Sequence, residues 1–174
     1  MAIKKILQEP NPILRQISKT VDKVSLDEQE LMNNMYETMI AEKGIGLAAI
    51  QIGVPKRIIV IDIPKEENKR DPIYFVNPVI KNQSKDMSRY EEGCLSLKSV
   101  FVEVERPSFC EVEYLDYFGK KQNLKCDDLL ATCIQHEMDH LNGVLMIDYL
   151  SKLKKSMLIK KLSKLKSKED RVVL

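Results

Sequence analysis

The chain has 174 residues, which is enough for one domain with a hydrophobic core of its own. Its 44% hydrophobic and 31% charged residues, with a formal net charge of +2, are typical of an ordinary soluble protein and do not by themselves indicate nucleic-acid binding. No apolar run approaches the length of a membrane span and no secretory signal is evident, so we expect a single domain over residues 1–174 that has no membrane partner.

The cysteines at positions 94, 110, 126 and 133 form neither a C-x-x-C pair nor a dense framework. A chain without a secretory signal belongs in a reducing compartment, where thiols stay free or bind metal. We therefore expect a cytoplasmic protein.

The N-terminal part of the chain predicts two helices. Asn11 followed by Pro12 is typical of a short capped helix. Ser25–Glu28 has the pattern of a capping box, and apolar residues behind it recur at helical spacing up to Gly44. We interpret these apolar residues as core: Leu31, Met35, Met39 and Ile40.

Residues 44–53, with the sequence GIGLAAIQIG, are unusually rich in glycine and small residues. They lack the third glycine of a dinucleotide loop and the Lys-Ser/Thr of a P-loop. Glycines either mark the turn that follows a helix or allow another backbone to approach closely. The residues alone leave both interpretations open.

Most of the remaining chain up to residue 126 predicts strands. A near-continuous apolar run and a second one interrupted at Asn77-Pro78 come first, and after the unusual stretch 90–97 three alternating segments are typical of antiparallel strands. Residues 116–119 fit a turn between the last two. The predicted strands are 57–63, 73–80, 100–104, 109–117 and 121–126.

The segment His136-Glu137-Met138-Asp139-His140 matches H-E-x-x-H. Residues four apart on a helix lie about 5–6 Å from each other, so both imidazoles can reach one metal ion, with Glu137 beside its open position. Asp127 and Asp128 can cap the start of this helix, and Asn142-Gly143 is a typical end. The alternative is a buried helix whose histidines only pack or form hydrogen bonds.

A catalytic site of this kind needs a third protein ligand. The acid or histidine that metallopeptidases place downstream is absent, because Lys160 and Met146 stand at those positions. Cys133 is too far along the helix from His140, about 10 Å, to share its ion. Cys94, which follows a glycine and two carboxylates, is favoured over an Asp or Glu ligand, although neither alternative is excluded.

The segment 151–174 is basic, with nine basic residues against two acidic ones. Its apolar residues fit one helical face that can pack on the domain while the lysines remain solvated. The alternative is an anionic partner, most plausibly RNA, on the lysine face. The predicted apolar face consists of Leu153, Met157, Leu158, Leu162 and Leu165.

Three stretches, in order and spacing, together resemble the peptide deformylases. They are residues 44–51 (GIGLAAIQ), 92–96 (EGCLS) and 135–140 (QHEMDH). The resemblance implies an α+β fold with antiparallel sheets packed around a central metal-binding helix, followed by a C-terminal helix. It also implies removal of the formyl group from N-formylmethionine of new polypeptides by one catalytic domain.

The resemblance further implies one divalent metal ion held by Cys94, His136 and His140, which is Fe²⁺ in the cell, with Zn²⁺, Ni²⁺ or Co²⁺ able to replace it. Our mechanistic hypothesis makes Glu137 the general base and acid for a metal-bound water. The Gln51 side chain and the Leu95 backbone N–H would then donate to the formyl oxygen.

The backbone of Gly44, Ile45 and Gly46 is expected to pair with the substrate peptide as an added strand. We expect the methionine side chain to be bound by Ile45, Leu129, Cys133 and Ile134. Glu92 is predicted at the substrate site, behind the metal ligands and paired with Arg106. Asp139 is expected to orient or stabilise the groups that surround the site. The expected partners are N-formylmethionyl peptides and, through the basic tail, the ribosome; we expect a monomer.

Three positions depart from the family pattern at the expected pocket rim: Ile50 and Lys98 stand where Pro is common, and Phe101 stands where some members have Arg. Three rival functions remain open. They are a metalloendopeptidase, a cysteine hydrolase with Cys94 as nucleophile, and a non-enzymatic RNA-binding protein that uses the tail. Chelator sensitivity and the need for a formyl group separate the enzymes.

Overall fold

The computed structural model describes residues 2–64 and 70–169. Its helices are α1 (Leu26–Ala41), α2 (Asp128–Leu141) and α3 (Lys152–Glu169), with short 3₁₀ helices at Pro12–Arg15, Ala49–Ile52 and Met146–Tyr149. Its strands are β1 (Gly46–Ala48), β2 (Ile58–Ile61), β3 (Ile73–Gln83), β4 (Met87–Cys94), β5 (Leu97–Pro107), β6 (Phe109–Leu115) and β7 (Lys121–Asp127).

All strand pairs are antiparallel, in a five-stranded sheet of order β1-β2-β3-β6-β7 and a two-stranded sheet of β4 and β5. The predicted α+β class, with antiparallel sheets and a C-terminal helix, is confirmed. Within residues 2–64 and 70–169, no helix is both long and apolar enough to span a membrane.

Strand β2 explains the layer order of the molecule. Ile59 and Ile61 belong to the hydrophobic cluster beneath α2, whereas Ile58 and Val60 belong to the cluster beneath α1. Successive residues of a strand face opposite sides of the sheet, so a strand covered on both faces reads as a continuous apolar run. The five-stranded sheet is therefore sandwiched between α1 and α2.

The two predicted N-terminal helices are confirmed, each with its cap. The Asn11 side chain accepts from the Ile13 N–H at the first 3₁₀ helix, and Ser25 and Glu28 form the capping box of α1. The interruption of β3 is also present, because its pairing shifts between Val76 and Val79 and Asn77 has a φ of 52°.

The structure differs from the sequence-based expectations in two places. Strand β4 starts at Met87, outside the predicted strands, because its pairing with β5 orders a polar segment. The predicted face of α3 is also wrong in part: Leu153 and Met157 are 71% and 64% exposed, while Leu158, Ile159 and Leu162 pack on the third hydrophobic cluster. Leu165 lies outside the side chains that the structure describes.

Candidate metal centre

Helix α2 begins after Asp127 and ends before Asn142, as the sequence predicts, with Gly143 at a φ of 72° in the following turn. Asp127 is the capping residue by backbone conformation only, because its side chain makes no capping hydrogen bond. Ten of the fourteen helix residues are buried, since the helix lies between the large sheet and the β4–β5 sheet. Polar side chains on this helix therefore need partners inside the protein.

The structure brings Cys94, His136 and His140 together. Their ligand atoms all lie within 4.8 Å of one another, and Cys94 Sγ is 3.2 Å from His140 Nε2. Cys94 is the last residue of β4, so the hairpin turn to β5 places its thiol over the helix. One thiolate and two imidazoles form a donor set that suits Zn²⁺ or Fe²⁺. Among the described residues this is the only such group, and it contains neither an Asp or Glu nor Cys133.

The two imidazoles have different surroundings. Burial lowers the pKa of His140 well below its ordinary value, so this ring is neutral, which is the form that binds a metal. His136 Nδ1 lies 2.7 Å from Glu92 Oε2. Although burial opposes it, hydrogen bonds with Cys94 and Glu92 raise the pKa of His136 well above its ordinary value. A carboxylate at this distance holds the Nδ1 proton, so Nε2 is the nitrogen that would bind an ion once it has lost its own proton.

Glu92 is itself held by Arg106, the partner that the sequence analysis expected. Arg106 Nε donates to Glu92 Oε1 at 2.6 Å and Nη2 donates to Oε2 at 3.0 Å. Although burial disfavours the charged form, hydrogen bonds from His136 and Arg106 keep the pKa of Glu92 below its ordinary value. Both carboxylate oxygens of Glu92 are therefore engaged by His136 and Arg106, while the residue also lines the cavity described below, so its place at the substrate site stays a prediction.

Glu137 lies beside the ligands with one oxygen unpaired. Its side chain is buried and Oε2 has no partner among the described residues. Burial raises the pKa of Glu137 to about 7. A carboxyl group with such a pKa can take up and release a proton near neutral pH, as general acid–base chemistry requires.

Gly46 in β1 leaves the space that Glu137 occupies. A Cβ at this position would lie 2.5 Å from Glu137 Oε1 and 2.8 Å from Cys133 Sγ, both of which are closer than real contacts. This glycine therefore permits a close approach rather than marking a turn. The interpretation of residues 44–53 that the sequence left open is settled for this position.

The Gln51 amide is fixed in orientation toward the site. Its Oε1 accepts from the Ala48 N–H at 2.8 Å, while Nε2 donates to Ser96 Oγ at 3.2 Å and lies 3.7 Å from Cys94 Sγ. Gln51 is 1% exposed, so these contacts determine where its N–H groups point. The neighbouring Leu95 is held through its carbonyl, which accepts from Gln8 Nε2 at 2.8 Å.

A cavity of about 600 Å³ opens beside these groups. The predicted residues that line it are Gly44, Ile45, Gly46, Gln51, Glu92, Cys94, Leu95, Leu129, Cys133, His136 and Glu137. Ile134 does not line it, because this side chain is fully buried in the cluster between α2 and the sheet, and we therefore leave it out of the methionine pocket proposed below. One helix position separates it from Cys133, which turns it about 100° away from the cavity.

Sequence reasoning missed several residues around the site. Lys43 and Thr132 line the cavity, and Tyr149 contacts Arg106 from behind. Lys98 and Phe101, named only as departures from a pattern, also lie at the cavity. No local signal marks Tyr149, because its partners are 43 and 10 residues away in the chain.

Comparisons with known proteins agree with this geometry. The family model described as polypeptide deformylase matches residues 3–156. The peptide deformylase of Pelagibacter ubique is 70% identical over 167 residues, which cover 96% of this chain and 97% of that protein.

Solved structures of peptide deformylases are also similar. The crystal structure from Ehrlichia chaffeensis matches with a TM-score of 0.92 and 38% identity, covering 98% of this chain and 100% of that one. The Met-Ala-Ser-bound crystal structure from Acinetobacter baumannii matches with a TM-score of 0.80 and 30% identity, covering 86% of this chain and 99% of that one.

Proposed function

Because the chain belongs to the polypeptide deformylase family and is a hydrolase that removes the formyl group from the N-terminus of new polypeptides, we propose that Cys94, His136 and His140 hold its metal ion. The observation that carries this proposal is the convergence of their three ligand atoms within 4.8 Å, beside the unpaired carboxylate oxygen of Glu137. We propose Fe²⁺ as the ion in the cell, with Zn²⁺, Ni²⁺ or Co²⁺ as replacements, since thiolate and imidazole ligands suit all of them.

Held by Cys94, His136 and His140, a divalent ion would supply Lewis-acid polarisation of a water molecule and of the formyl carbonyl. Glu137 accepts the proton of the attacking water and later donates it to the amine of the departing peptide. Its buried position beside the ligands and its pKa of about 7 suit both steps. The products are formate and a peptide with a free N-terminal methionine.

Negative charge develops on the formyl oxygen during this attack, and Gln51 is positioned to stabilise it. Its Nε2 is directed at the metal site by the bonds to Ala48 and Ser96, so it requires no rearrangement. We assign the second donor to the Leu95 backbone N–H, which follows Cys94 directly. Each such donor typically contributes about 10²–10³ in rate.

The substrate peptide pairs with β1, which is the edge strand of the large sheet. The Asp62 N–H donates to the Ile45 carbonyl at 2.9 Å, so Ile45 directs its peptide groups toward β2 and the alternation of the strand directs those of Gly46 outward. Gly46 therefore offers an N–H and a carbonyl to the substrate. Gly44 offers only its carbonyl, because its N–H donates to Met39 at 2.9 Å.

Ile45, Leu129 and Cys133 form our proposed pocket for the methionine side chain. All three line the cavity, and Ile45 and Leu129 are 37% and 40% exposed, which is high for large apolar residues. Covering them with an apolar side chain removes this surface from water, which favours methionine over a polar residue.

We also propose a cytoplasmic monomer whose whole chain acts as one catalytic domain, and whose basic tail contacts the ribosome. The tail proposal is supported by the lysines of α3, of which Lys152, Lys154 and Lys160 are exposed. Anionic RNA is the partner that such a surface attracts. Its signature would be association with ribosomes that weakens as salt increases.

The central test compares a short N-formylmethionyl peptide with the same peptide lacking the formyl group. We expect formate from the first only, and we expect Cys94→Ala to lose both formate release and stoichiometric binding of a divalent ion. Cys110→Ala is the matched control, because that thiol lies in the core beneath α2 and should leave ion content unchanged.

Other outcomes would favour the rival functions. Cleavage inside the unformylated peptide would indicate an endopeptidase. Formate release that survives an excess of chelator but requires Cys94 would indicate a thiol hydrolase. An unchanged ion content in Cys94→Ala would show that another residue is the third ligand.

A further inference from the structure

We infer that Tyr149 is a positioning residue for the metal site: together with Asp139 it fixes the Arg106 guanidinium, which through Glu92 sets the orientation of His136. This inference rests on the proposed metal site. Tyr149 ends the 3₁₀ helix Met146–Tyr149, just before α3, and it does not line the cavity. It therefore acts through other residues and does not touch the substrate.

Arg106 is 4% exposed and carries a charge that must be paired. One side of its guanidinium forms the two bonds to Glu92, at 2.6 and 3.0 Å. The other side donates from Nη1 to Asp139 Oδ2 at 2.8 Å and to the Tyr149 hydroxyl at 3.2 Å. Asp139 and Tyr149 therefore set the orientation in which the guanidinium faces Glu92.

Tyr149 contacts both Asp139 and Arg106. Its hydroxyl donates to Asp139 Oδ2 at 2.8 Å, and its ring centroid lies 5.0 Å from Arg106 Cζ, within cation–π range. Tyr149 therefore contacts both members of the Arg106–Asp139 pair. The Asp139 side chain is 22% exposed, so without the tyrosine hydroxyl this carboxylate would be free to turn toward water.

Glu92 connects the Arg106 guanidinium to the proposed metal ligand His136. Glu92 Oε2 accepts from both Arg106 Nη2 and His136 Nδ1, so a rotation of the guanidinium moves the oxygen that holds the His136 ring. Groups that hydrogen-bond directly to a metal ligand typically change metal affinity or activity by about 10–100-fold when they are removed. Tyr149 lies two contacts further out, and we expect a smaller effect of roughly three- to tenfold.

The experiment uses the full chain loaded with Co²⁺. Tyr149→Phe removes the hydroxyl and keeps the ring, and Tyr117→Phe is the matched control, because the Tyr117 hydroxyl bonds to Asn33 far from the site. The readouts are the rate of Co²⁺ transfer to excess chelator, the thiolate-to-cobalt absorption band, and kcat and KM for a formylated peptide. In the metal-free protein, the Nδ1–H resonance of His136 supplies an independent readout.

We expect Tyr149→Phe to release Co²⁺ roughly three- to tenfold faster, to shift the absorption band and the His136 resonance, and to lower kcat with little change in KM. Tyr117→Phe should match the wild type in all four. Asp139→Asn weakens the contact with Arg106 and should change the same readouts in the same direction. This variant replaces Tyr149→Phe in the test if Tyr149→Phe does not fold.

A release rate, band and His136 resonance identical to wild type in folded Tyr149→Phe would overturn the inference, as would equal changes in Tyr117→Phe. A lower melting temperature with no change in these readouts would assign Tyr149 a structural role only. Wild-type protein that binds no ion at Cys94 would instead refute the proposed metal site on which the inference rests.

Discussion

Helices α2 and α3 are both continuous and both carry apolar and charged side chains, yet they relate to the domain in opposite ways. Ten of the fourteen residues of α2 are buried, including His136, Glu137 and His140. In α3, Leu153 and Met157 are exposed, and only one side of the helix packs on the domain. Buried polar groups of α2 such as Gln135 and His136 are held by specific partners within the protein, whereas Lys152, Lys154 and Lys160 of α3 are exposed to water.

This difference shows where the molecule is sensitive to change. In α2 a substitution removes a partner, creates a cavity or moves a catalytic group, because most of its side chains are shielded from bulk solvent. On the exposed side of α3, water takes the place of a side chain that is removed, so a substitution there changes the stability little. Equivalent substitutions in the two environments should therefore have different effects.

The largest effect is expected for Glu137→Gln in α2. The amide keeps the shape of the side chain but cannot accept the proton of the attacking water, so kcat should fall by about 10²–10⁴-fold. Ion content, measured by elemental analysis of the purified protein, should remain at the wild-type value, because Glu137 is not a ligand. Undiminished turnover would remove Glu137 from the mechanism.

Truncating an apolar side chain should lower the free energy of unfolding more in α2 than in α3. Ile134→Ala removes a fully buried side chain between α2 and the sheet and should lower the free energy of unfolding by about 2–5 kcal/mol. Ile159→Ala in α3, whose side chain is only partly buried, should cost less than about 2 kcal/mol. Denaturant unfolding of both variants measures the difference, and equal losses would show that α3 is as tightly packed as α2.

The contact between β1 and α2 is tested by Gly46→Ala. The added Cβ would overlap Glu137 Oε1, so the carboxylate has to move, and a displacement of about 1 Å can cost up to about 10²-fold in rate. The matched change is Gly93→Ala, where the nearest atom is Phe101 Cε1 at 3.0 Å on a side chain that is 66% exposed and free to turn. Its kcat/KM should fall much less, and a similar loss in both would point to a general effect of the methyl group.

The sequence predicts those features that depend only on residues close together in the chain. The spacing of His136 and His140 is a property of one helix, and the structure places both rings together, with centroids 5.0 Å apart. The capping box of α1 and the run of apolar residues in β2 are equally local and were predicted for the same reason.

Contacts between distant parts of the chain were harder to predict. No spacing rule connects Cys94 with His140, which lies 46 residues away in sequence, so the sequence favours this third ligand only through its neighbouring residues, thiolate chemistry, exclusion of other residues and family resemblance. Strand β4 depends on its pairing with β5. Ile134 faces the sheet rather than the cavity because of the orientation in which α2 packs on the sheet. Tyr149 was missed altogether, since nothing in its neighbourhood in the sequence indicates a contact with Arg106.

The smallest effect is expected on the solvent side of α3. Leu153→Gln replaces a side chain that is 71% exposed, so little apolar surface leaves or enters water and the free energy of unfolding should change by less than about 0.5 kcal/mol. The same change at Leu158, which packs against the third hydrophobic cluster, buries an amide without a partner and should cost about 1–3 kcal/mol. Denaturant unfolding distinguishes the two, and both variants should keep the wild-type kcat because neither residue lines the cavity. If Leu153→Gln proved as costly as Leu158→Gln, the exposed side of α3 would have to be covered in solution, and the contrast between the two helices would no longer hold.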